Sequence, residues 1–336
     1  MKQLTVLETE QAILLLKRHF EDRLAEKLNL YRVSSPLYVP RNSGIQDDLT
    51  GVERPVSFRV KDIPDLTCEI VHSLAKWKRM ALAQYGIGPD KGLYTDMNAL
   101  RPDEESLRSG IHSVYVDQWD WERVITPNQR SLAFLKEIVR TIYRVIKDTE
   151  AAMEQGFGLE PMLPEDIRFF HSEDLLQRYP GMTPKQREDA VCREYKAVFL
   201  IGIGGKLSDG TIHDQRAPDY DDWTTLAEDG REGLNGDILV WNSVIERSFE
   251  LSSMGIRVDK AALLRQLELK DEQQRAELSW HQMLLNDQLP LTVGGGIGQS
   301  RMSMLLLQKR HIGEVQVSVW PREVREECRR EGIALL

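Results

Sequence analysis

The sequence predicts a single α+β domain over residues 1–336, an antiparallel sheet of six or more strands flanked by helices. Three observations predict it. Two long runs, 8–30 and 131–153, repeat apolar residues at helical spacing. Paired β-favouring stretches lie between and after them, 92–101 with 112–122 and 236–242 with 248–258. Late in the chain, Thr292-Val-Gly-Gly-Gly-Ile-Gly-Gln-Ser-Arg-Met-Ser-Met-Leu-Leu-Leu307 joins a glycine-rich strand to an apolar helix.

Composition bounds the function. A chain of 336 residues, 41% hydrophobic and 29% charged, can bury a large core as a globular protein. Its net charge of -9 argues against a broad nucleic-acid footprint. No apolar run is long enough to span a bilayer, and the first ten residues lack a signal peptide's apolar core. Cys68, Cys192 and Cys328 are odd in number and far apart, which fits a reducing cytoplasm and excludes a CxxC metal site.

Each element has its own reason. From about Glu8 to Leu30, Ile13, Leu16, Phe20, Leu24 and Leu28 recur every three or four positions, with Glu8 and Glu10 at the dipole's positive end. Tyr31 to Pro40 is a short β-like segment whose prolines suit an edge or interface strand. Gly44 to Gly51 is a polar turn, and Val56, Phe58 and Val60 alternate as a strand. Glu69 to Arg79 passes from strand into a helix carrying Lys76, Lys78 and Arg79. That cluster reads either as a solvated face or as a helix start beside an anionic ligand.

Gly92 to Arg101 is β-like, Pro102 to Gly110 is a charged loop, and His112 to Glu122 is a second strand. On it His112, Val114, Val116, Gln118 and Asp120 share one face, either lining a pocket or facing solvent. Ser131 to Met153 is an amphipathic helix with Leu135, Ile138, Val139, Ile142 and Ile146. A short helix near Ser172 to Arg178 precedes one opened by Thr183 as cap and Pro184 at its first position. Cys192 on that helix reads as packing.

Lys196 to Leu207 is a buried strand ending in glycines. Leu207 stands where a phosphate-binding loop needs Ser or Thr, and where a dinucleotide fingerprint needs its third glycine. Both are rejected. An acidic loop, Asp219 to Trp223, follows. Asp237 and Glu250 fall on two adjacent antiparallel strands, where paired carboxylates can hold magnesium against a triphosphate, or be ordinary surface acids. Helices starting near Asp259 and Asp271 run to about Leu285, and Pro290 bars their continuation. In the glycine stretch Gly294, Gly295, Gly296 and Gly298 permit close backbone approach, and Arg301 falls early in the helix. The pair makes a floor for a nucleotide, or a plain strand-to-helix corner. Val315 to Trp320 reads as a late strand.

Taken in this order, the pieces resemble the class II aminoacyl-tRNA synthetase catalytic core. The helix and proline strand of about 8–40, with Pro36, look like its first, dimer-forming motif. Arg101 to Glu104 with the strand to Glu122 is similar to the second, and Gly294 to Arg301 to the third. The likeness sharpens at His72-Ser-Leu-Ala-Lys-Trp-Lys-Arg79, Tyr115-Val-Asp-Gln-Trp-Asp-Trp-Glu122, Lys206-Leu-Ser-Asp-Gly210 and Arg216-Ala-Pro-Asp-Tyr-Asp-Asp-Trp223. Asn235-Gly-Asp-Ile-Leu-Val-Trp-Asn242, Glu250-Leu-Ser-Ser-Met-Gly-Ile-Arg257 and Gly294-Gly-Gly-Ile-Gly-Gln-Ser-Arg301 continue it. These resemble ammonia-dependent asparagine synthetase, over nearly the whole chain and with no departure at a motif position.

The resemblance implies that ATP and aspartate form β-aspartyl-AMP and pyrophosphate, and that ammonia then displaces AMP. Joining two anions needs cations at the α-phosphate, and Arg101 and Arg301 offer bidentate donors. By the same likeness Arg101 grips the α-phosphate and reacting carboxylate, Arg301 lies by adenine and phosphates, Glu104 contacts adenine, and Gly296 belongs to the nucleotide site. Asp237 and Glu250 would hold Mg2+. Asp47, Gln118 and Asp120 are expected around the aspartate ammonium, Lys78, Arg257, Ser73 and Ser253 around its carboxylates. Asp221 is the expected ammonia guide or base, with Arg101 and Gln118 as the other catalytic groups.

The expected partners are small molecules and a second copy in a homodimer, with no nucleic acid and no membrane. A tRNA-charging or tRNA-binding relative would need an anticodon domain and a basic face. The motifs run from about residue 8 to 307 and leave no room for one. A descendant without catalysis would be expected to lose Arg101, Asp237, Glu250 or Arg301, and all four stand. A glutamine-dependent synthetase needs a cysteine at or near its N-terminus, and the first here is Cys68.

Overall fold

The computed structural model describes residues 4–49, 53–103 and 107–336. In chain order its elements begin with α1 (Val6–Leu28), β1 (Leu30–Arg32), β2 (Tyr38–Pro40), β3 (Ser57–Val60), β4 (Ile63–Ile70) and α2 (Ala75–Gln84). They continue with β5 (Gly92–Leu100), β6 (Tyr115–Val124), α3 (Leu132–Phe157), β7 (Arg168–His171), α4 (Ser172–Arg178), α5 (Pro184–Tyr195) and β8 (Ala197–Ile201). Last come β9 (Asn235–Asn242), β10 (Arg247–Ile256), α6 (Lys260–Leu269), α7 (Ser279–Leu285), β11 (Thr292–Gly298), α8 (Gln299–Leu306) and α9 (Arg322–Arg330).

Local chemistry sets the ends of these elements. Thr5 and Glu8 form a reciprocal capping box at the start of α1, and Thr183 and Gln186 form another at α5. Gly158, in the left-handed region at φ 67°, ends α3. Leu135, Ile138, Val139, Ile142 and Ile146 on α3 are buried with Leu16, Phe20 and Leu24 of α1 in one core. Each such side chain contributes about 1.5–3 kcal/mol by leaving water.

The main sheet has eight strands in the order β1-β5-β6-β11-β10-β9-β8-β7, and a second sheet has the order β2-β4-β3. The expectation of a purely antiparallel sheet is corrected. The six strands from β5 to β8 in that order are antiparallel, but β1 pairs parallel with β5, and β7 pairs parallel with β8. The reason is connectivity: parallel neighbours need a long crossover, and α4 with α5 supplies one between β7 and β8. The segment 31–40 likewise splits, its first part ending at the main sheet's edge and its second joining the small sheet.

Two other expectations change. Residues 315–320 form no strand. Val317 and Val319 are 71% and 70% exposed, and alternation alone cannot make a strand without a ladder partner. The helix expected from Asp271 is a short 3-10 turn, Gln273–Glu277, followed by α7.

One face of the main sheet buries Trp119, Trp121, Phe199, Phe249, Met254 and Ile297 against α1 and α3. The opposite face packs α2 on β5, β6 and β11, and α5 on β8, β9 and β10. The intervening part of that face is left open.

Candidate active site

That opening is a cavity of about 910 Å³. Its floor is β6, β11 and β10, where Gln118 lies opposite Gly298, Asp120 opposite Gly296 and Glu122 opposite Gly294. The glycines serve the floor in a way their sequence did not show. A methyl at 294 would collide with the Glu122 carboxylate, and one at 296 with the Gln118 amide. Glycine here makes room for side chains of the neighbouring strand.

A bulge in β10 matters too. The register slips between Glu250 and Ser252, so Glu250 faces Leu239 and Ser253 faces Asp237. Without it, residues 250 and 253 would point to opposite sides of the sheet. With it, Asp237, Glu250 and Ser253 share the open face.

Of the residues singled out from sequence, Asp47, Ser73, Arg101, Gln118, Asp120, Asp221, Glu250, Ser253, Arg257, Gly296 and Arg301 all line this cavity. Lys78 and Asp237 do not. Glu104 lies outside the described residues. His112, Arg216 and Tyr220 line it as well; the last two stand in a quoted motif, but no periodicity sets them apart. Glu122, on the same face and paired with Arg257, was likewise unassigned.

The basic cluster of α2 is not a solvated face. Lys76, Lys78 and Arg79 are all buried. Lys78 Nζ donates to Asp120 Oδ1 at 2.5 Å and to the carbonyls of Trp121 and Gly295, each at 3.0 Å. Its three donors are thus used at the edge of the cavity under α2, and Asp120 Oδ2 also accepts from Leu74 N. Arg79 donates to the carbonyls of Pro290 and Val258, and burial draws its pKa down to about 10.

The acidic loop is pinned acid by acid. Lys76 donates to Asp219 at 2.8 Å, Arg257 Nη1 to Asp221 Oδ1 at 2.5 Å, and Arg130 to Asp222. Arg257 also forks onto Glu122, with Nη2 2.8 Å from Oε2. Burial pushes the Glu122 carboxyl up, but Arg257 and Lys78 outweigh it and leave the group below its ordinary range. For Asp221 burial wins over Arg257, and its pKa is raised.

Elsewhere in the lining, Ser73 Oγ donates to Asp47 Oδ2 at 2.6 Å, and Arg101 Nη2 donates to the His72 carbonyl at 3.0 Å. Arg301 Nη1 sits 3.1 Å from the Glu250 carbonyl and 3.5 Å from its carboxylate. Burial, then Arg301, Arg247, Lys185 and Arg101, holds the His112 imidazole down at about 3.

Asp237 is strongly displaced. Burial, partly offset by Arg216 and reinforced by Glu250, pushes it up to about 7. Its Oδ2 accepts from Arg216, while Oδ1 is buried without a hydrogen-bond partner. No group of three or more His, Cys, Asp or Glu among the described residues could hold a metal alone. Two carboxylates, one with an orphaned oxygen, fit a hard cation that brings phosphate oxygens as its other ligands.

The sheet that carries this arginine-lined, glycine-floored cavity has a fold of the class II aminoacyl-tRNA synthetase type, and solved structures show it. Entamoeba histolytica asparaginyl-tRNA synthetase with asparaginyl-adenylate is similar at TM-score 0.66 and 13% identity, over 93% of this chain and 66% of that one. Asparaginyl-tRNA synthetase from Pyrococcus horikoshii, complexed with asparaginyl-adenylate, gives 0.65 and 15%, over 93% and 70%. The Entamoeba histolytica aspartyl enzyme gives 0.62 and 13%, over 96% and 63%. The chain thus spans about two thirds of those proteins. The model of the aspartate-ammonia ligase family matches residues 7–332, and the chain belongs to that family, ligases that make asparagine in an ATP-dependent reaction.

Proposed function

We propose that this cavity adenylates the β-carboxylate of aspartate with ATP and then passes the acyl group to ammonia, releasing asparagine, AMP and pyrophosphate. One observation carries the reading. Arg101, Arg216 and Arg301 line the same cavity as a mixed set of acids, amide and hydroxyls, Asp47, Ser73, Gln118, Asp120 and Ser253. The first set suits phosphates, the second an amino acid that is at once cation and dianion. The adenylates held by the two asparaginyl-tRNA synthetases support the same chemistry.

Arg101 draws the α-phosphate and the β-carboxylate together, and its bond to the His72 carbonyl aims it. Arg301 faces the nucleotide, with Gly296 in the floor and Glu104 assigned to the adenine. Asp47, Gln118 and Asp120 take the ammonium of aspartate, Gln118 thereby fixing the reacting group's approach. Arg257, Ser73 and Ser253 take its carboxylates. Lys78, expected there, acts from beside the cavity by holding Asp120. Asp237 and Glu250 hold Mg2+, which when bound offsets the charge that builds on pyrophosphate. Asp221, more basic than usual and adjoining the cavity, takes the proton from ammonium. The nitrogen then attacks the β-carbonyl carbon, and the acyl–phosphate bond breaks with its electron pair leaving on AMP.

A single catalytic domain works here as a cytoplasmic homodimer on small molecules, without nucleic acid or membrane. Its three cysteines are free and buried, as a reducing compartment allows, and no helix among the described residues is long and apolar enough to cross a membrane. Exposed Tyr31, Leu37 and Tyr38 near the first motif supply apolar surface for the second copy.

The test is ATP turnover with magnesium, aspartate and ammonia, asparagine being read by mass. Equal asparagine and AMP are expected, with little product from glutamine and no need for tRNA. Amino acid transferred only when tRNA is added would overturn the reading. Asp221→Asn should lose turnover most at limiting ammonia; full turnover there would remove its assigned role.

A further inference from the structure

Asp237 and Glu250 are not equally placed. Glu250 lines the cavity and its side chain is 39% exposed, whereas that of Asp237 is 7% exposed and absent from the lining. What stands at the cavity wall in its place is Arg216. Its Nη2 donates to Asp237 Oδ2 at 2.5 Å, and its Nη1 donates to Asp214 Oδ2 at 2.7 Å and to the Gln215 carbonyl at 2.9 Å. Glu250 also acts electrostatically on the same guanidinium. A planar monocation therefore fills the space among the acids where a divalent ion would sit.

We infer that Arg216 is a charge plug: it occupies the acid pair in the nucleotide-free enzyme and yields it only when a metal–triphosphate arrives. The inference rests on Asp237 and Glu250 being the metal pair. The physics is an exchange of partners. A divalent ion alone would have to expel Arg216 from Asp237 and leave its Nη2 unpaired, with only Asp214 and the Gln215 carbonyl held by Nη1, which is unfavourable. A metal carrying a triphosphate brings the anion that Arg216 needs, so both new pairs form together. Arg216 is suited to the swap because it lies on the loop between β8 and β9, not within a strand. Two short hairpins, closed by the bridges Lys206↔Ile212 and Leu226↔Glu232, flank that loop. Arg216 is accordingly a positioning residue for metal entry and a third cation on the phosphates.

The experiment uses Mn2+ as probe, its binding read by electron paramagnetic resonance with and without a non-hydrolysable ATP analogue. Wild type should bind Mn2+ weakly alone and tightly with the analogue. Arg216→Met should bind Mn2+ without nucleotide on the order of tenfold or more tightly than wild type, and adding Asp237→Asn should remove the gain. Arg216→Lys, which keeps a charge at Asp237, serves as the folding control and should stay closed to Mn2+ alone. If Arg216→Met and wild type bind free Mn2+ alike, while Asp237→Asn abolishes binding with the analogue, the plug is wrong and the metal pair stands. If Asp237→Asn with the analogue binds Mn2+ as wild type does, the metal pair is wrong and the plug falls with it.

Discussion

Buried charges decide the chemistry at the residue scale, and their cost is met by pairing. Asp219 is the clearest case: burial raises its pKa, but Lys76 and His281 outweigh that and hold it at about 2. A depressed carboxyl contributes stability that is present above the unfolded value of about 3.9 and is lost as pH falls toward the folded one. Asp219→Asn should therefore be less stable than wild type by about 2 kcal/mol near neutrality. In urea unfolding the gap should narrow as pH falls from about 4 to 2, since both chains then carry a neutral group. A gap that stays constant would mean that shape, not charge, sets the cost. His112 makes the opposite point, since it adds no charge to the arginines around it. Its ring resonances should not titrate between about pH 5 and 8; a mid-range transition would contradict the burial and the cationic surroundings found here.

At the scale of elements, β11 is the part on which the others depend. Its glycines leave space that Glu122 and Gln118 fill from β6. Gly296→Ala meets the far end of a flexible amide, so it should cost little stability while raising the aspartate KM on the order of tenfold. Gly294→Ala meets a carboxylate locked by Arg257. It should lower stability by about 1–3 kcal/mol, as overpacking does, and lose activity with it. Steady-state kinetics beside thermal melts separate the two, and equal melting losses would contradict this ranking. The motif glycines were legible from the start, but the reason for Gly294 and Gly296 was not, because the side chains they avoid, Glu122 and Gln118, lie more than 170 residues earlier in the chain.

At the scale of the whole molecule, the prediction concerns assembly. Placing Asp at both Leu37 and Tyr38 should turn the proposed homodimer into monomer in sedimentation, without touching a cavity residue. An unchanged mass would move the interface elsewhere. Most of the architecture was readable: the amphipathic α1 and α3, the strand pairs β5/β6 and β9/β10, and the β11–α8 corner all lie where spacing put them. The parallel edge strands were not, because β1 and β7 are three and four residues long and carry no period of their own. Residues 315–320 failed for the converse reason, having the period and no neighbour.

What the sequence alone determined was every feature carried by local order: helix stripes, caps, alternation, and motif residues whose identity is chemical. Eleven of the thirteen described residues named from it line one cavity. What only the tertiary structure decided was which charges meet. Lys78 reads as a substrate ligand until Asp120, Trp121 and Gly295 are seen to use its donors. Arg216 reads as one motif letter until it is found covering Asp237. Periodicity reports what a residue faces within its own element. Pairing across 42 or 217 positions depends on how elements stack, and no local pattern encodes that.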